Sequence, residues 1–377
     1  MRFKKTDKNT SKAVDKPSKK AGKSAQNLSG KNVIGLDISP SHVRMVQISG
    51  KSLSQIQVEK YAIEALPQNV VSGTEITNFD TLVSHLQQCY AKMKTNCKSV
   101  NVAMPAGVVT IEDNLPFAEG GDLSLQEFVE SEVSRVGALD DMNYDWNELA
   151  PLSGERDKTV LMVAAREDSV AQYKDLVEDI GLNAINIDVD IFALFNAFAY
   201  VNEMHNNEYF YERIALFDIG DVNLKALIIE SGRILYRHET AFGLDQLVQL
   251  IQRSYQTTDG EALEMIYGKR QRPSDYQATI VDYFNVQVAQ EIQRAMQFFS
   301  TTNSDDQVIK QIFITGSGSI PNTGLAQAVQ LQTSVPTQQL APIGLANVKV
   351  KGDVAQFEQD SHSLTTAFGL ALRGLMA

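Results

Sequence analysis

The chain has 377 residues, 43% hydrophobic and 21% charged, which is typical of a soluble globular protein with about two domains and a large core. Two cysteines, Cys89 and Cys97, and five scattered histidines show neither a disulfide framework nor a zinc site, which favours a reducing cytoplasm. No apolar run reaches the length of a transmembrane helix, and no secretory signal is visible.

The net charge of −12 is unevenly distributed along the chain. Residues 1–29 contain nine Lys or Arg and two Asp, a net charge of +7, so the remainder carries −19. Few large apolar residues accompany these charges, which predicts a disordered basic tail over residues 1–30. Two interpretations remain open, a solubilising tail and a weak attachment to an anionic membrane face. Nucleic-acid binding is disfavoured, because the acidic remainder of the chain repels phosphates.

The first folded segment, Val33 to Ile48, reads as a β-hairpin with an acid and two hydroxyls at its turn. Asp37 ends the first apolar run, and Ser39 and Ser41 follow. Exposed N–H groups and hydroxyls in such a turn can cradle phosphate oxygens, and the acid can hold the water shell of a Mg²⁺ ion. Asp and Ser are also ordinary turn residues, so this stretch alone leaves both interpretations open.

Alternating and helical periodicities organise the next 150 residues. Leu53–Ile63 is predicted as a strand, Phe79–Lys94 as a helix and Ser99–Met104 as a buried strand. Residues 108–181 then form a β-α-β-β-α pattern that predicts a small inserted module. Asp188 and Asp190 precede a helix that runs from about Phe192 to Met204, and they are interpreted first as helix caps.

The second half repeats the opening plan. Residues Ile214 to Ile229 form a strand, a turn and a strand, with Asp218, Gly220 and Asn223 at the turn. Asp37 and Asp218 are 181 positions apart, about half the chain. A third turn, Gly316-Ser317-Gly318, follows the strand Gln311–Thr315. A long helix over Asp275–Phe299 carries an apolar stripe that is assigned to packing.

Two acidic hairpins and a late glycine-rich turn, in this order, resemble the actin-like ATPase superfamily. The strings AMP, LPF, YDW, VLMVAARED, GLNAINIDVDIFAL and AFGLALRGL further resemble the PilM family of type IV pilus assembly proteins, which is related to the division protein FtsA. The resemblance implies an α/β actin-like fold of two lobes with a small α+β subdomain inserted into the first lobe. The implied division is 31–107 with 182–210 and 355–377 for the first lobe, 108–181 for the insertion and 211–354 for the second lobe.

The resemblance also implies ATP and Mg²⁺ as ligands. The implied nucleotide-binding residues, taken position by position, are Asp37, Ser39, Ser41, Arg44, Asp218, Gly220, Asn223, Gly316, Ser317 and Gly318. Asp37 and Asp218 would hold the metal through water, and either Asp188 or Asp190 could orient an attacking water. Three departures weaken the expected nucleotide affinity: Ser39 replaces a usual glycine, Pro40 lacks an N–H group, and Ile266 replaces a usual lysine, with Lys269 nearby.

The implied function is a cytoplasmic, at most weakly hydrolytic ATP-binding component of the type IV pilus platform, peripheral on the inner face of the bacterial inner membrane. Its implied partner is the N-terminal peptide of a PilN-like membrane protein, held in a groove between the first lobe and the insertion, with other platform proteins and self-association as further possibilities. The alternatives are a small-molecule kinase of the same superfold and an FtsA-like division protein.

Overall fold

A computed structural model of the chain describes residue 28 and residues 30–117, 123–149, 158–302, 307–350 and 354–376. The prediction for the basic tail falls, up to residue 27, outside the described residues. Leu28 is buried, and its N–H donates a hydrogen bond of 3.1 Å to the carbonyl of Lys51. The folded body therefore already includes Leu28.

Strands and helices alternate along the described chain. The strands are β1 (Val33–Ile38), β2 (His42–Ser49), β3 (Gln57–Ala65), β4 (Val71–Ser72), β5 (Glu75–Ile76), β6 (Ser99–Met104), β7 (Thr110–Phe117), β8 (Met142–Leu149), β9 (Lys158–Arg166), β10 (Asn183–Val189), β11 (Ile214–Ile219), β12 (Leu224–Glu230), β13 (Arg233–Thr240), β14 (Gln311–Thr315), β15 (Thr337–Gln339) and β16 (Asn347–Val348). The α-helices are α1 (Phe79–Met93), α2 (Leu125–Val136), α3 (Glu167–Asp179), α4 (Asp190–Met204), α5 (Leu244–Tyr255), α6 (Asp259–Ile266), α7 (Asp282–Thr302), α8 (Leu325–Thr333), α9 (Val354–Asp360) and α10 (Thr365–Leu375).

Two mixed sheets with the same plan form the two lobes. The first has the order β10-β6-β1-β2-β3-β16, and the second has the order β13-β12-β11-β14-β15. Each begins with an antiparallel hairpin, β1–β2 or β11–β12, and then adds parallel strands beside the first strand of that hairpin. The carboxyl ends of the central strands and the hairpin turns therefore meet at one edge of each sheet.

Helices α4 and α10 pack between the two sheets and join their cores. One apolar cluster contains Val46 of the first sheet, Leu216 of the second and Phe368 of α10. The two helices approach closely, since a Cβ atom at Gly369 would lie 1.9 Å from the carbonyl oxygen of Ala193. The apolar cluster that these helices share with both sheets holds one lobe against the other, and it positions the facing edges of the sheets.

The insertion is a three-stranded antiparallel sheet, β7-β9-β8, with α2 against one face. Ser124 caps α2 by accepting a hydrogen bond from the N–H of Glu127, and Val129 and Val133 are buried in the small core. The predicted boundary at residue 181 is wrong, because α3 belongs to the first lobe. Its buried residues Tyr173, Leu176 and Val177 lie in the core of the first lobe, since the chain returns there after β9.

A second boundary also differs from the prediction. Strand β16 pairs with β3, so the return to the first lobe begins at Asn347 and not after residue 354. The predicted strand over Leu53–Ile63 begins with a turn of 3₁₀ helix, Leu53–Gln55, before β3. Within the residues that the structure describes, no helix combines the length and the apolar character needed to cross a bilayer.

Candidate functional site

Three turns from both lobes meet around one narrow cavity of about 70 Å³. They are the β1–β2 turn, the β11–β12 turn and the turn after β14. Eight of the predicted nucleotide-binding residues line this narrow cavity: Asp37, Ser39, Arg44, Asp218, Gly220, Asn223, Gly316 and Ser317. Gly318 lines a neighbouring cavity, and Ser41 lies to one side with its hydroxyl 3.0 Å from Nδ1 of His42. The structure therefore brings most of the predicted set together, and their binding role stays a prediction.

Each hairpin places an acid opposite a base. Asp37 pairs with Arg44 across β1 and β2, and Asp218 pairs with Lys225 across β11 and β12. In both hairpins the acid and the base are seven residues apart in sequence. The two hairpin turns have the same length, so the same spacing brings the two residues opposite each other on the paired strands. Facing acids and bases at the cleft are therefore a direct product of the hairpin register.

Both bases reach across the cleft to an acid of the opposite lobe. Nη2 of Arg44, in the first lobe, lies 2.8 and 2.7 Å from the two carboxylate oxygens of Asp221 in the second. Nζ of Lys225, in the second lobe, lies 2.5 Å from Oδ2 of Asp190, at the start of α4. Asp221 is 6% exposed and Asp190 also 6%. The cleft is thus closed by two reciprocal buried ion pairs.

Asp37 and Asp218, the predicted metal ligands, are largely desolvated carboxyl groups whose charges are only partly compensated: the side chain of Asp37 is 15% exposed and Asp218 is 9% exposed. Burial raises the pKa of Asp37 even though the charges of Arg44 and Lys225 lower it. Burial also raises the pKa of Asp218 to about 6, against the lowering effect of Lys225. Arg44 Nη1 lies 3.8 Å from Oδ2 of Asp37. Two desolvated carboxyl groups that influence each other suit a divalent cation held through its waters, although no cluster of three or more ligand residues occurs in the described part of the chain.

The two candidate catalytic acids have structural partners. Val189 occupies the cap position of α4, so the interpretation of Asp188 and Asp190 as caps is wrong. Asp188 ends up inside β10, 1% exposed, where burial raises its pKa. Asp190 is the first residue of α4; its Oδ1 accepts a hydrogen bond of 3.0 Å from the N–H of Ala106, and its Oδ2 faces Lys225. Asp190 therefore reaches the narrow cavity and Asp188 lies behind it.

A wide cavity of about 470 Å³ opens beside the narrow one. Arg44, Gly316 and Ser317 line both. His362 and Ser363 also line both cavities. The rest of the wide cavity is formed mainly by the second lobe, including Ile266, Tyr267, Lys269, Arg272 and Gly318, together with His42 and Ile63 of the first lobe. Lys269 is exposed at this wall, and its role in place of a lysine at position 266 stays a prediction. A volume of this size is within the usual range for small-molecule sites, roughly 300–1,000 Å³.

The glycine-rich turn after β14 needs glycine at its first position. Gly316 has a φ of +94°, and a Cβ atom there would lie 2.2 Å from Oδ1 of Asp218. The backbone of this turn therefore touches the acid of the neighbouring hairpin directly. At Gly220 the space is less restricted, since the nearest atom to an added Cβ would be the carbonyl oxygen of Asn223 at 2.9 Å.

The chemical groups of the cleft suit a nucleotide with bound magnesium. The volume of the cleft, however, is sufficient only for the nucleoside part of such a ligand. Two cations, several hydroxyls, a glycine-rich turn and five carboxyl groups surround the narrow cavity; the carboxyl groups are those of Asp37, Asp190, Asp218, Asp221 and Glu239. The wide cavity has room for a nucleoside, whereas the narrow cavity has about a seventh of that volume. Asp221 lines the narrow cavity, and its carboxylate contacts Arg44 and Ser317, which line both cavities.

Asp221 and Lys225 lie outside the predicted set of site residues. Lys225 could have been predicted from the sequence, because the spacing from Asp218 to Lys225 equals the spacing from Asp37 to Arg44. Asp221 could not have been predicted in this way, since an acid in a tight turn is ordinary. Its importance follows only from the contact with Arg44, 177 residues away in the chain.

Comparison with known proteins decides the family. A family model described as "Type IV pilus assembly protein PilM" matches residues 35–375. The chain belongs to the PilM family of type IV pilus assembly proteins. Among solved structures, this PilM-family chain is similar to one titled "PilM-PilN type IV pilus biogenesis complex", with 21% identity, a TM-score of 0.71, and coverage of 91% of this chain and 98% of that one.

A second similar structure is the ethanolamine utilization protein EutJ from Carboxydothermus hydrogenoformans. It has 14% identity, a TM-score of 0.55, and coverage of 92% of both chains. The predicted actin-like ATPase fold of two lobes is thereby confirmed for this PilM-family chain, and so is its place among type IV pilus assembly proteins.

Proposed function

We propose that this chain is a cytoplasmic, nucleotide-binding component of the type IV pilus platform that docks the N-terminal segment of a PilN-like membrane protein. The observation that carries the proposal is the family match over residues 35–375. The similar solved structure is by its title a complex of PilM with PilN. Three features of the fold support the finer assignment: a groove beside the insertion, a connection from that insertion to the second lobe, and the cleft between the lobes.

The groove lies where the insertion leaves the first lobe. A cavity of about 490 Å³ is lined by residues of the β4–β5 hairpin, by Val108 and by α3. The residues that line it include Tyr173, Ile76, Gln172 and Ser169. Apart from the carboxylate of Glu75, the lining groups are apolar or polar and uncharged, and this mixture suits a short peptide with alternating side chains. We therefore assign the docking of the partner peptide to this groove.

The insertion is tied to the second lobe by two arginines of β13. Arg237 forms an ion pair of 3.0 Å with Asp113 and donates a second bond of 2.7 Å to the carbonyl of Ile111. Arg233 donates to the side chains of Asn114 and Thr159. These contacts, which we call the arginine clamp, join the insertion to a strand of the second lobe. A rotation of that lobe would therefore move the insertion and change the groove.

The cleft supports binding of an adenine nucleotide with Mg²⁺. The wide cavity would hold the nucleoside, and the turns at the narrow cavity would face its phosphates. Asp37 and Asp218 would hold the metal through water. When bound, the metal supplies charge neutralisation between these carboxyls and the phosphates.

An interaction protein is favoured over a small-molecule kinase by the state of Asp190. A kinase requires an acid or base that is free to act on the substrate beside the transferred phosphate. Asp190 is held by Lys225 and by the N–H of Ala106, and Asp188 is buried behind it. The insertion is instead a separate folded unit with its own core, which suits a docking role.

The test is a binding titration with a labelled N-terminal peptide of the PilN-like protein from the same organism. Gln172→Arg places a long cation in the groove and should weaken peptide binding at least tenfold. Gln88→Arg makes the same substitution at an exposed position of α1 outside the groove, so its affinity should match that of the wild type. Equal affinity for the two variants would place the peptide elsewhere, and no binding by the wild type would contradict the proposed partner.

A further inference from the structure

Asp221 accepts hydrogen bonds from donors on two other turns. Besides Arg44, the hydroxyl of Ser39 donates to its Oδ2 at 2.8 Å, and the hydroxyl of Ser317 donates to its Oδ1 at 2.6 Å. Nδ1 of His42 lies 3.3 Å from Oδ2. Ser39, His42 and Arg44 come from the first lobe and Ser317 from the turn after β14. The carboxylate therefore occupies the point where the three turns converge.

This donor set is one that recognises an oxyanion. A guanidinium and two hydroxyls at short distance form charge-assisted bonds to carboxylate or phosphate oxygens with equal ease. Burial alone would raise the pKa of Asp221, but the charge of Arg44 and the donated hydrogen bonds hold that pKa well below its usual range. Asp221 is consequently an anion throughout the physiological pH range, and it already neutralises Arg44.

The tips of both hairpins disfavour a further anion. Asp221 is the third residue after Asp218, and the equivalent position after Asp37 is Pro40, which has no N–H to donate. A phosphate bound between the two hairpin turns would need backbone N–H donors from both. It would instead face the carboxylate of Asp221 on the β11–β12 turn and Pro40, without an N–H group, on the β1–β2 turn. The narrow cavity, at about 70 Å³, has no room for a polyphosphate beside the Asp221 side chain.

We propose that Asp221 determines which ligand the cleft accepts: its carboxylate takes the place of a phosphate group on Arg44, Ser39 and Ser317. The closed cleft then admits a nucleoside and excludes a nucleoside polyphosphate, which enters only when Asp221 leaves Arg44. This inference rests on the proposed nucleotide site, and it adds the residue that controls selectivity at that site.

The experiment compares adenosine and Mg-ATP in titration calorimetry. Asp221→Asn removes the charge and keeps the shape, so Mg-ATP affinity should rise at least tenfold while adenosine affinity changes less than threefold. Asp221→Ser serves the same purpose if the first variant fails to fold. An unchanged or lower Mg-ATP affinity in the folded variant overturns the inference, and the proposed nucleotide site survives if the wild type binds Mg-ATP tightly.

A second variant separates displacement of a carboxylate from a general loosening of the cleft. Asp190→Asn breaks the other reciprocal ion pair, with Lys225, and leaves Asp221 on its donors. It should not raise Mg-ATP affinity as Asp221→Asn does. An equal gain in both variants would show that closure alone limits binding, which contradicts a specific role for Asp221. If neither adenosine nor Mg-ATP binds any of these proteins, both the inference and the nucleotide site are wrong.

Discussion

Replacing Asp218 by Asn should stabilise the protein without ligand. Asp218 is 9% exposed, and no described residue donates a hydrogen bond to its carboxyl group. Burial is the main cause that raises its pKa to about 6 from an ordinary value of 3.8, and Asp37 adds to the effect. The ionised form of Asp218 therefore lowers the free energy of unfolding. Replacement by Asn removes the charge and preserves the size of the side chain.

The sign and size follow from proton linkage. The folded protein binds the proton of Asp218 more tightly than the unfolded chain does, so the free energy of unfolding falls as the pH rises from 3.8 to about 6. A shift of roughly two pKa units corresponds to about 3 kcal/mol once the group is ionised in both states. The variant should therefore be more stable by up to about 3 kcal/mol at pH 7.5, and by roughly half of that at pH 5.

Urea denaturation of both proteins at the two pH values measures the difference. The control is Asp175→Asn, which removes the same charge from an exposed position of α3 and should change the stability by less than about 0.5 kcal/mol. If Asp218 were only a turn residue that accepts local hydrogen bonds, its replacement would instead destabilise the protein by about 1 kcal/mol. Lower stability at pH 7.5, or a gain that does not shrink towards pH 5, would refute the reasoning.

Three further outcomes are expected. Arg237→Ala should speed hydrogen exchange in β7, because it removes the ion pair with Asp113 and the hydrogen bond to the carbonyl of Ile111. The control Arg253→Ala, at an exposed position of α5, should leave the exchange in β7 unchanged. Equal exchange rates in the two variants would argue against the arginine clamp. Gly316→Ala should lower the melting temperature by much more than Gly268→Ala. Both glycines have a positive φ, but of the two only Gly316 has other atoms within 4 Å of an added Cβ. Similar decreases in melting temperature would show that backbone strain alone, and not the close contact with Asp218, destabilises the Gly316 variant. Deleting residues 1–27 should weaken binding to anionic vesicles, most at low salt, and unchanged binding would remove the membrane interpretation of the tail.

Much of the architecture follows from local patterns in the sequence. Alternation in β1–β2 and β11–β12, with an acid at each turn, is sufficient to predict two matching hairpins. The helix over Phe79–Met93 appears in the sequence because its apolar positions recur at helical spacing, and Asn78 caps it. The late glycine-rich turn is visible because Gly316 carries a conformation that few other residues adopt. Such features depend on neighbours within a few residues, which a sequence displays directly.

The arrangement of the cleft was decided by the tertiary structure. The apolar face of α3 is visible in the sequence, but its periodicity does not say whether it packs on the insertion or on the first lobe. Likewise, Asp221 and Arg44 are each ordinary in their own hairpins, and they meet only because α4 and α10 hold the two lobes face to face. Local spacing determines which residues share a turn or a helix face. The pairing of charges between lobes depends instead on how the two sheets pack against each other. That packing is determined by contacts among many residues that are distant in sequence.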